Sequence, residues 1–431
     1  MRFIVVDCRE TRIVRDVDVF GRRRKESNTL PGFEKPAATD SDANRSGASA
    51  ATPKPAPDPR HRWVGDISGA FADLGTFLPL VLGAFAVQHL DPSGVLTGFG
   101  VSALVVALVY RRPIPVQPMK AVAALVIAGG LGAMELAATG VLLGLTLLLL
   151  GSTRTAGRLA RVVPRTVLNG IQLGVGLYLT LAGFALAADA VAVGMLALTI
   201  LLLLYWTRFR PFSALLVVIG AAAWGVAQTD GLPDALAFGL WLPTFQWPDL
   251  DSFRAAGQSI FLPQLALTVT NAILVTAVLA EGYFPHDGNR ISPDRLALSS
   301  GGLNLLLAPF GAFPMCHGAG GLVVQHRFGA RTGLAPAIFG ITCLVLGLAL
   351  GPGALALLSI IPMAAVGALL VVAGAEMAAG NVVRERQPDR LLVILLTGLA
   401  CVAFNVAIGL LIGLVSEVLR GFTIRHRRSN H

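Results

Sequence analysis

The sequence predicts an all-α polytopic membrane protein with about fourteen transmembrane spans in two inverted seven-span repeats, with broken half-helices at spans three and ten. Three observations predict this fold. Of the 431 residues, 54% are hydrophobic and 14% are charged, whereas about a quarter of the residues in soluble proteins are charged. Apolar stretches of about 20 residues, enough to cross a bilayer as a helix, recur along the chain. Basic residues fall in alternate loops between these stretches, which indicates the orientation of each span.

Residues 1–60 are predicted to be a disordered segment on the cytoplasmic side. Residues 37–59 are rich in Ala, Ser, Pro and Asp, a composition that cannot bury a core. The chain does not begin with an apolar segment and a cleavage site, so no signal peptide is expected. The four cysteines lack metal-ligand spacing, so neither a metal nor a cofactor is expected. The net charge of +9 is attributed to topology, and no nucleic-acid partner is expected.

The hydrophobic spans are predicted, in chain order, at residues 64–86, 93–110, 113–130, 134–151, 164–184, 189–206, 211–228, 258–283, 293–310, 314–326, 333–350, 353–373, 389–404 and 405–421. The third and tenth are too short or too interrupted to cross as ordinary helices of about 20 residues.

The loop charges predict that both termini are cytoplasmic. If the chain starts on that side, one set of loops collects the arginine clusters at 111–112, 154–165, 208–210, 290–295, 327–331, 384–390 and 420–428. The opposite loops are mostly acidic, with Arg254 as their lone basic residue. This asymmetry satisfies the positive-inside rule. The expected location is a plasma membrane, specifically a bacterial inner membrane.

The spans divide into two halves of nearly equal length. The first repeat is predicted at residues 61–230 with spans one to seven, and the second at 255–422 with spans eight to fourteen, followed by a basic tail at 423–431. Because seven is odd, the second half starts on the side opposite the first. Such inverted repeats are common in secondary transporters.

The third span of each half contains prolines and polar residues at membrane depth. These spans read "PIPVQPMKAVAA" and "FPMCHGAGGLVVQHRFGAR", and both contain Pro-Met. Proline interrupts a helix, so we expect the two helices to begin near Met119 and near Cys316. They would enter from opposite sides, with their N-termini facing each other. Unpaired N–H groups and positive dipole ends at such a junction suit an anion.

Side chains at this junction predict the same chemistry. Lys120 would supply positive charge, and Gln117 a neutral donor. His317 would add a donor whose charge responds to pH. The glycines that would let a ligand approach the backbone are Gly318, Gly320 and Gly321. The alternative is that Lys120 extends to the membrane surface and the glycines only pack helices.

The first span of each half supplies further candidates. Asp73 is an intramembrane carboxylate that could pair with Lys120 or carry a proton, or could cap a helix break at Gly75. Gly75 and Thr76 could line the site. In span eight, Asn271 is the best candidate ligand, with hydrogen bonding between helices as the alternative.

Glu281 follows near the cytoplasmic end of span eight and is expected to act as a gate or an ion-pair residue. An intramembrane hydrolase built on Cys316 and His317 is disfavoured, because adjacent helical residues point to different faces.

The segments "GDISGAFADLGTFLPL", "PVQPMKAVAA" and "PMCHGAGGLVVQHRFGAR" resemble the signature segments of the molybdate transporter family, a relative of the sulfate permeases. The resemblance covers about residues 63–421, in order. It implies the sulfate-permease and uracil-permease fold, with a core domain of spans one to four and eight to eleven and a gate domain of the others. It also implies a tetrahedral dianion as substrate, molybdate first, held between spans three and ten with spans one and eight flanking it.

The resemblance also implies particular site residues, which are Gln117, Met119, Lys120, Cys316, His317, Gly318, Gly320, Asp73 and Gly75. Asn271 stands where sulfate permeases tend to carry an acid. The loss of that charge suits a dianion site, although it removes one route to coupling.

Together these features predict a secondary active transporter, not an enzyme, that imports molybdate with proton coupling. A dianion moves inward against about 2.3 kcal/mol per charge per 100 mV. No Gly-rich ATP-binding loop is present, which disfavours primary transport. The alternatives are a sulfate or general oxyanion permease and, less favoured, an anion channel. The expected partners are molybdate and membrane lipid, with a homodimer as a further expectation from the fold group.

Overall fold

The computed structural model describes residues 5–7, 12–14, 59–88, 90–162, 164–207, 213–228, 239–287, 290–351, 353–354, 356, 360–383 and 385–429. The chain forms two compact units, residues 1–56 and residues 57–431. In the first unit, β1 (Val5–Asp7) pairs antiparallel with β2 (Arg12–Val14). These strands lie inside the segment that the sequence predicts to be disordered. The other residues up to 58 lie outside the described residues.

The described part of the second unit is helical apart from one short pair of strands. Its helices are α1 (Pro59–Ala70), α2 (Leu74–Gln88), α3 (Pro92–Tyr110), α4 (Lys120–Ile127), α5 (Ala133–Ser152), α6 (Ala156–Val162), α7 (Arg165–Ala187), α8 (Val191–Tyr205), α9 (Ser213–Gln228), α10 (Leu250–Ala256), α11 (Leu262–Leu267), α12 (Thr276–Tyr283), α13 (Pro293–Leu307), α14 (Ala319–Arg327), α15 (Leu334–Leu350), α16 (Met363–Val382), α17 (Pro388–Ala403) and α18 (Val406–Ser429). The strands β3 (Gln117–Pro118) and β4 (Met315–Cys316) precede α4 and α14.

Most of these helices follow the predicted spans, and among the boundaries that differ are those of span eight, span twelve and the C-terminal tail. Span eight begins earlier, at Leu250, because Asp249 caps the helix by accepting a hydrogen bond from the Ser252 N–H at 2.8 Å. Span twelve was predicted at 353–373, but α16 begins at Met363 after Pro362. Residues 353–361 are as apolar as the helix itself, so hydropathy did not mark this start. The predicted basic tail from 423 instead continues α18 as far as Ser429.

The described helices are those of an integral multi-pass membrane protein. By length and composition, six segments are long and apolar enough to cross a bilayer. One of them, Arg165–Tyr205, has 41 residues. At 1.5 Å per residue it is about 60 Å long, roughly twice the hydrocarbon thickness. A 3₁₀ turn, Ala188–Ala190, divides this segment into α7 and α8.

Glycines allow three pairs of long helices to approach closely. A Cβ on Gly340 of α15 would lie 2.9 Å from the Gly100 oxygen of α3. A Cβ on Gly144 of α5 would lie 2.9 Å from the Gly301 oxygen of α13. The pair α7 and α16 meets in the same way, at Gly176 and Gly374. Backbone contact through small residues is a characteristic way for helices to associate in membranes.

Two adjacent glycines on α13 give a test of this packing. We expect Gly301→Ala to lower the melting temperature, because its Cβ would lie 2.5 Å from the Leu148 backbone nitrogen and overpacking costs about 1–3 kcal/mol. Gly302→Ala is the matched control, because its Cβ would meet only a Leu148 methyl at 3.9 Å. Alanine should stabilise that position by up to about 1 kcal/mol. Melting of the purified protein in detergent, followed by size exclusion, measures both. Equal melting temperatures would contradict the helix contact.

Candidate functional site

The two broken spans meet at a pair of two-residue strands. Gln117 of β3 is opposite Cys316 of β4, and the Met119 N–H donates to the Pro314 oxygen at 2.9 Å. Because the strands are antiparallel, the helices that follow them, α4 and α14, leave the pair in opposite directions. The second helix begins at Ala319, not near Cys316 as the sequence predicted, because Met315 and Cys316 are extended in the strand pair.

Side chains from the second half hold this irregular backbone in place. The Asn304 amide on α13 bonds both the N–H and the oxygen of Met315, each at 2.8 Å. The His317 ring lies 3.1 Å from the Pro115 oxygen through Nδ1 and 2.8 Å from the Ser299 hydroxyl through Nε2. His317 is completely buried, and both ring nitrogens have protein partners. It therefore links the two broken spans, and it lies outside the wall of the cavity beside them.

A cavity lies beside the paired strands, where α4 and α14 begin. Its volume is about 30 Å³, above the roughly 10–15 Å³ that one water molecule needs. Five of the predicted residues line it, namely Gln117, Lys120, Asn271, Cys316 and Gly318. Seven further residues also line it, namely Gln172, Val175, Gln264, Leu267, Thr268, Ala272 and Met377. The wall thus combines side chains from both halves of the chain.

The N-terminus of α4 is capped by a residue that the sequence analysis missed. Gln264 Oε1 accepts hydrogen bonds from the N–H groups of Ala121 and Val122 at 3.1 and 3.3 Å. Its Nε2 donates to the Thr268 hydroxyl at 2.9 Å. These two N–H groups of α4 are therefore paired, contrary to the prediction. Spacing could have found Gln264, because residues 264, 268 and 271 share one helical face.

Span eight is distorted beside the cavity. Its residues Thr268–Val275 form a π-helical segment, a feature that is frequent at functional sites. Asn271 lies in this segment, lines the cavity, and its amide makes no hydrogen bond with the described residues. The Thr276 hydroxyl donates to the His317 oxygen at 2.7 Å. This bond ties span eight to the broken span ten.

Lys120 supplies the positive charge in the cavity wall. It is the first residue of α4 and half-buried, and it is the only lysine after residue 54. Its ammonium makes no hydrogen bond or ion pair with any residue that the structure describes, although its charge acts on Asp73 and Cys316. A partly buried ammonium without an ion-pair partner can bind an anion directly.

Asp73 lies in a break of the first span. The turn Phe71–Asp73 separates α1 from α2. The backbone oxygen of Asp73 accepts hydrogen bonds from the N–H groups of Thr76 and Phe77 at 3.0 and 3.1 Å. The sequence predicted a break at Gly75, whereas in the structure the break ends at Asp73. The carboxylate accepts a hydrogen bond from Gln117 Nε2. Asp73 is therefore hydrogen-bonded to Gln117, whereas the sequence suggested an ion pair with Lys120 as one possibility.

Two glycines of the tenth span make room for this Asp73–Gln117 pair. A Cβ on Gly321 would lie 2.6 Å from Gln117 Nε2 and 2.7 Å from Asp73 Oδ2. A Cβ on Gly318 would collide with Gln117 Oε1. Gly320, between them, has open space at its Cβ position. The pair therefore lies over the N-terminal end of α14.

Other predicted residues lie outside the cavity wall. They are Met119, Gly320, Gly75, Thr76 and Glu281. Met119 is buried at the N-cap of α4. Gly75 and Thr76 belong to the first turn of α2. Glu281 is exposed and follows Asn271 by about 15 Å along the helix axis.

This fold defines a class of helical membrane proteins that includes a transporter of known structure. The transmembrane domain of BicA, a cyanobacterial bicarbonate transporter, has the same fold, with a TM-score of 0.61 and 18% identity over 81% of this chain and 96% of that one. The family described as "Molybdate transporter of MFS superfamily" matches residues 65–179 and 257–377. These two segments contain both short helices and the cavity wall. The chain belongs to this molybdate transporter family.

Two relatives support the assignment over most of the chain. "Molybdate transporter 2" of Arabidopsis thaliana is 30% identical, covering 82% of this chain and 86% of the relative. "Molybdate transporter 1" of Chlamydomonas reinhardtii is 29% identical, covering 81% of this chain and 90% of the relative. These relatives are transporters and not enzymes.

Proposed function

We propose that this protein is a secondary active transporter that imports molybdate, held in the cavity between the starts of α4 and α14. One observation carries the proposal. Lys120 supplies the positive charge in the wall of a cavity lined otherwise by neutral residues, of which the polar amides and hydroxyl are those of Gln117, Gln172, Gln264, Thr268 and Asn271. Charge from one side and hydrogen bonds from others are what a tetrahedral oxyanion requires.

The proposed architecture is fourteen spans in two inverted repeats, residues 61–230 and 255–422. The packing of the described helices supports it, because the most extensive helix contacts are related by exchange of the two halves. Span two (α3) packs on span eleven (α15), and the equivalent spans of the other half, nine (α13) and four (α5), also pack on each other. Spans five and twelve, α7 and α16, pack on each other. A pseudo-two-fold axis that exchanges the repeats accounts for these pairs.

We further propose that both termini are cytoplasmic and that the membrane is a bacterial inner membrane. The arginine-rich loops support this orientation. Within the fold, the cavity wall draws on spans three, eight and ten and also on Gln172 of α7 and Met377 of α16. A relative movement of these two groups of helices would open the cavity to either side. A homodimer is proposed as the assembly.

Import of a dianion needs a driving ion. An interior that is negative by 100 mV opposes two negative charges by about 4.6 kcal/mol. We propose that protons supply the coupling and that Asp73, next to the wall residue Gln117, carries the proton. Glu281 would act at the cytoplasmic exit. A substrate dianion close to an ionised Asp73 would be repelled, so protonation favours the loaded state.

Uptake of labelled molybdate into proteoliposomes tests the proposal, with an inward proton gradient and unlabelled tungstate or sulfate as competitors. We expect saturable uptake that tungstate blocks and that collapses when the gradient is dissipated. Equal inhibition by sulfate would indicate a general oxyanion permease, since sulfate shares the charge and shape of molybdate. Uptake that does not saturate and needs no gradient would indicate a channel. No uptake under any gradient would refute the proposal.

A further inference from the structure

The Gln117 side chain has a buried amide oxygen without a hydrogen-bond partner in the part of the chain that the structure describes. Gln117 is 1% exposed and lies in the cavity wall. Its Nε2 donates to Asp73, whereas its Oε1 has no hydrogen-bond partner among the described residues. This oxygen lies over Gly318, whose missing Cβ leaves the space for it. An unpaired buried oxygen is costly, so its retention beside the cavity needs an explanation.

We propose that Gln117 is a proton-controlled positioning residue, whose amide turns over when Asp73 is protonated and then offers N–H donors to the anion. The proposal rests on the cavity being the anion site. An ionised carboxylate only accepts hydrogen bonds. Gln117 must therefore direct its nitrogen to Asp73, which leaves its oxygen on the side of Gly318. An amide oxygen in that position repels an oxyanion.

Protonation of Asp73 reverses this requirement. A proton from water binds a carboxylate oxygen of Asp73, and the resulting O–H becomes a donor that needs an acceptor. Gln117 Oε1 is such an acceptor if the amide rotates by half a turn about its Cγ–Cδ bond. The two ends of an amide are nearly equal in size, so the rotation needs little new space. The NH₂ group then lies over Gly318, next to the first N–H groups of α14.

One proton thereby makes two changes in the cavity wall. It removes a negative charge, and it replaces an acceptor by a donor. Gln264 provides a contrast on the other short helix, because its amide is fixed by bonds at both ends, to Ala121, Val122 and Thr268. The proton-dependent part of the site is therefore on the side of α14.

Among the groups around Asp73, its own carboxylate is the group that takes up the proton. The charged or titratable side chains that act on it are Lys120 of α4 and Cys316 of β4, and its neutral partners are Gln117 and Thr76. The hydrogen-bond partners of Asp73 are an amide and a hydroxyl, which have no acidic group to titrate in this range. On α16, which also packs on α2, the titratable residue is Glu376, and it is exposed.

Titration calorimetry on the purified full chain tests the switch, with molybdate and sulfate as probes between about pH 8 and pH 5.5. We expect the affinity of the wild-type protein to rise as the pH falls. Asp73→Asn should bind with little pH dependence, because an amide needs no proton in order to donate. Gln117→Leu should lose about ten-fold in affinity at acidic pH, equivalent to about 1.4 kcal/mol, and much less at alkaline pH. Its pH curve should therefore be flatter than that of the wild type.

The outcomes separate the switch from the proposed function. Parallel pH curves for wild type and Gln117→Leu would overturn the switch while the anion site stands. Failure of the wild type to bind either anion at any pH would overturn the proposed function itself. Gln325→Leu is the matched control, because Gln325 is also a buried glutamine on α14 whose Oε1 has no hydrogen-bond partner among the described residues, but it lies outside the wall. It should bind as the wild type does. If Gln117→Leu does not fold, the unbranched Gln117→Met replaces it.

Discussion

Lys120→Ala is expected to abolish molybdate uptake while the protein remains folded. Lys120 is the cation of the cavity wall and makes no ion pair with the described residues, so its loss breaks no ion pair within the described part of the protein. A hydrogen bond to a charged group is worth about 1.5–3 kcal/mol. At 1.4 kcal/mol per ten-fold, its removal should weaken anion binding by about 10- to 150-fold. Uptake into proteoliposomes at equal protein content measures the effect.

Two further variants decide whether charge at this place is what matters. Lys120→Arg keeps the charge and should retain part of the uptake, although the planar guanidinium has a different shape. Arg327→Ala removes an exposed positive charge from the last turn of α14 and should transport as the wild type does. Normal uptake by a well-folded Lys120→Ala protein would refute the site assignment.

Gln264→Glu is expected to abolish anion binding without destabilising the fold. A glutamate at this position retains an oxygen for the N–H groups of Ala121 and Val122, and a negative charge at a helix N-terminus is favourable. The same charge would face the anion across the cavity. At roughly 6 Å and an effective dielectric of about 20, each pair of unit charges repels by about 3 kcal/mol. The affinity for a dianion should therefore fall by at least about 100-fold.

Calorimetry and thermal melting of the same preparation test both parts of this expectation. Gln264→Leu gives the converse result, because it adds no charge but leaves two N–H groups of α4 without their acceptor, so the melting temperature should fall. Gln228→Glu adds a charge at the exposed end of α9 and controls for net charge. If Gln264→Glu bound molybdate as tightly as the wild type, the anion would have to lie away from α4.

The interruption of spans three and ten could be predicted because its causes are local. Pro115 and Pro118 lack N–H groups and cannot continue a helix, and the structure has extended residues there, followed by α4. The same holds for Pro314 before α14. Lys120 could also be selected from the sequence, because a charge inside an apolar span marks a functional position.

The contacts of the site could not be predicted, because they join residues far apart in the chain. Gln264 reaches the N–H of Ala121 across 143 positions, and no local pattern specifies that pairing. His317 bonds the Pro115 oxygen across 202 positions, which directs its ring away from the cavity. The sequence favours His317 as a ligand because histidine can donate a hydrogen bond, but the direction of its ring depends on the residues that pack around it in the folded protein.

The sequence by itself determined that this chain is a multi-pass membrane protein, that proline breaks two of its spans, and that a single lysine lies at one break, because hydropathy, proline geometry and charge are properties of local composition. The tertiary structure alone decided which polar groups reach the cavity. Gln264 caps α4, Asp73 bonds Gln117, and Gly318 and Gly321 make room for that pair. These choices depend on close packing between the two halves of the chain, where most buried polar groups have partners that only the folded backbone brings within reach.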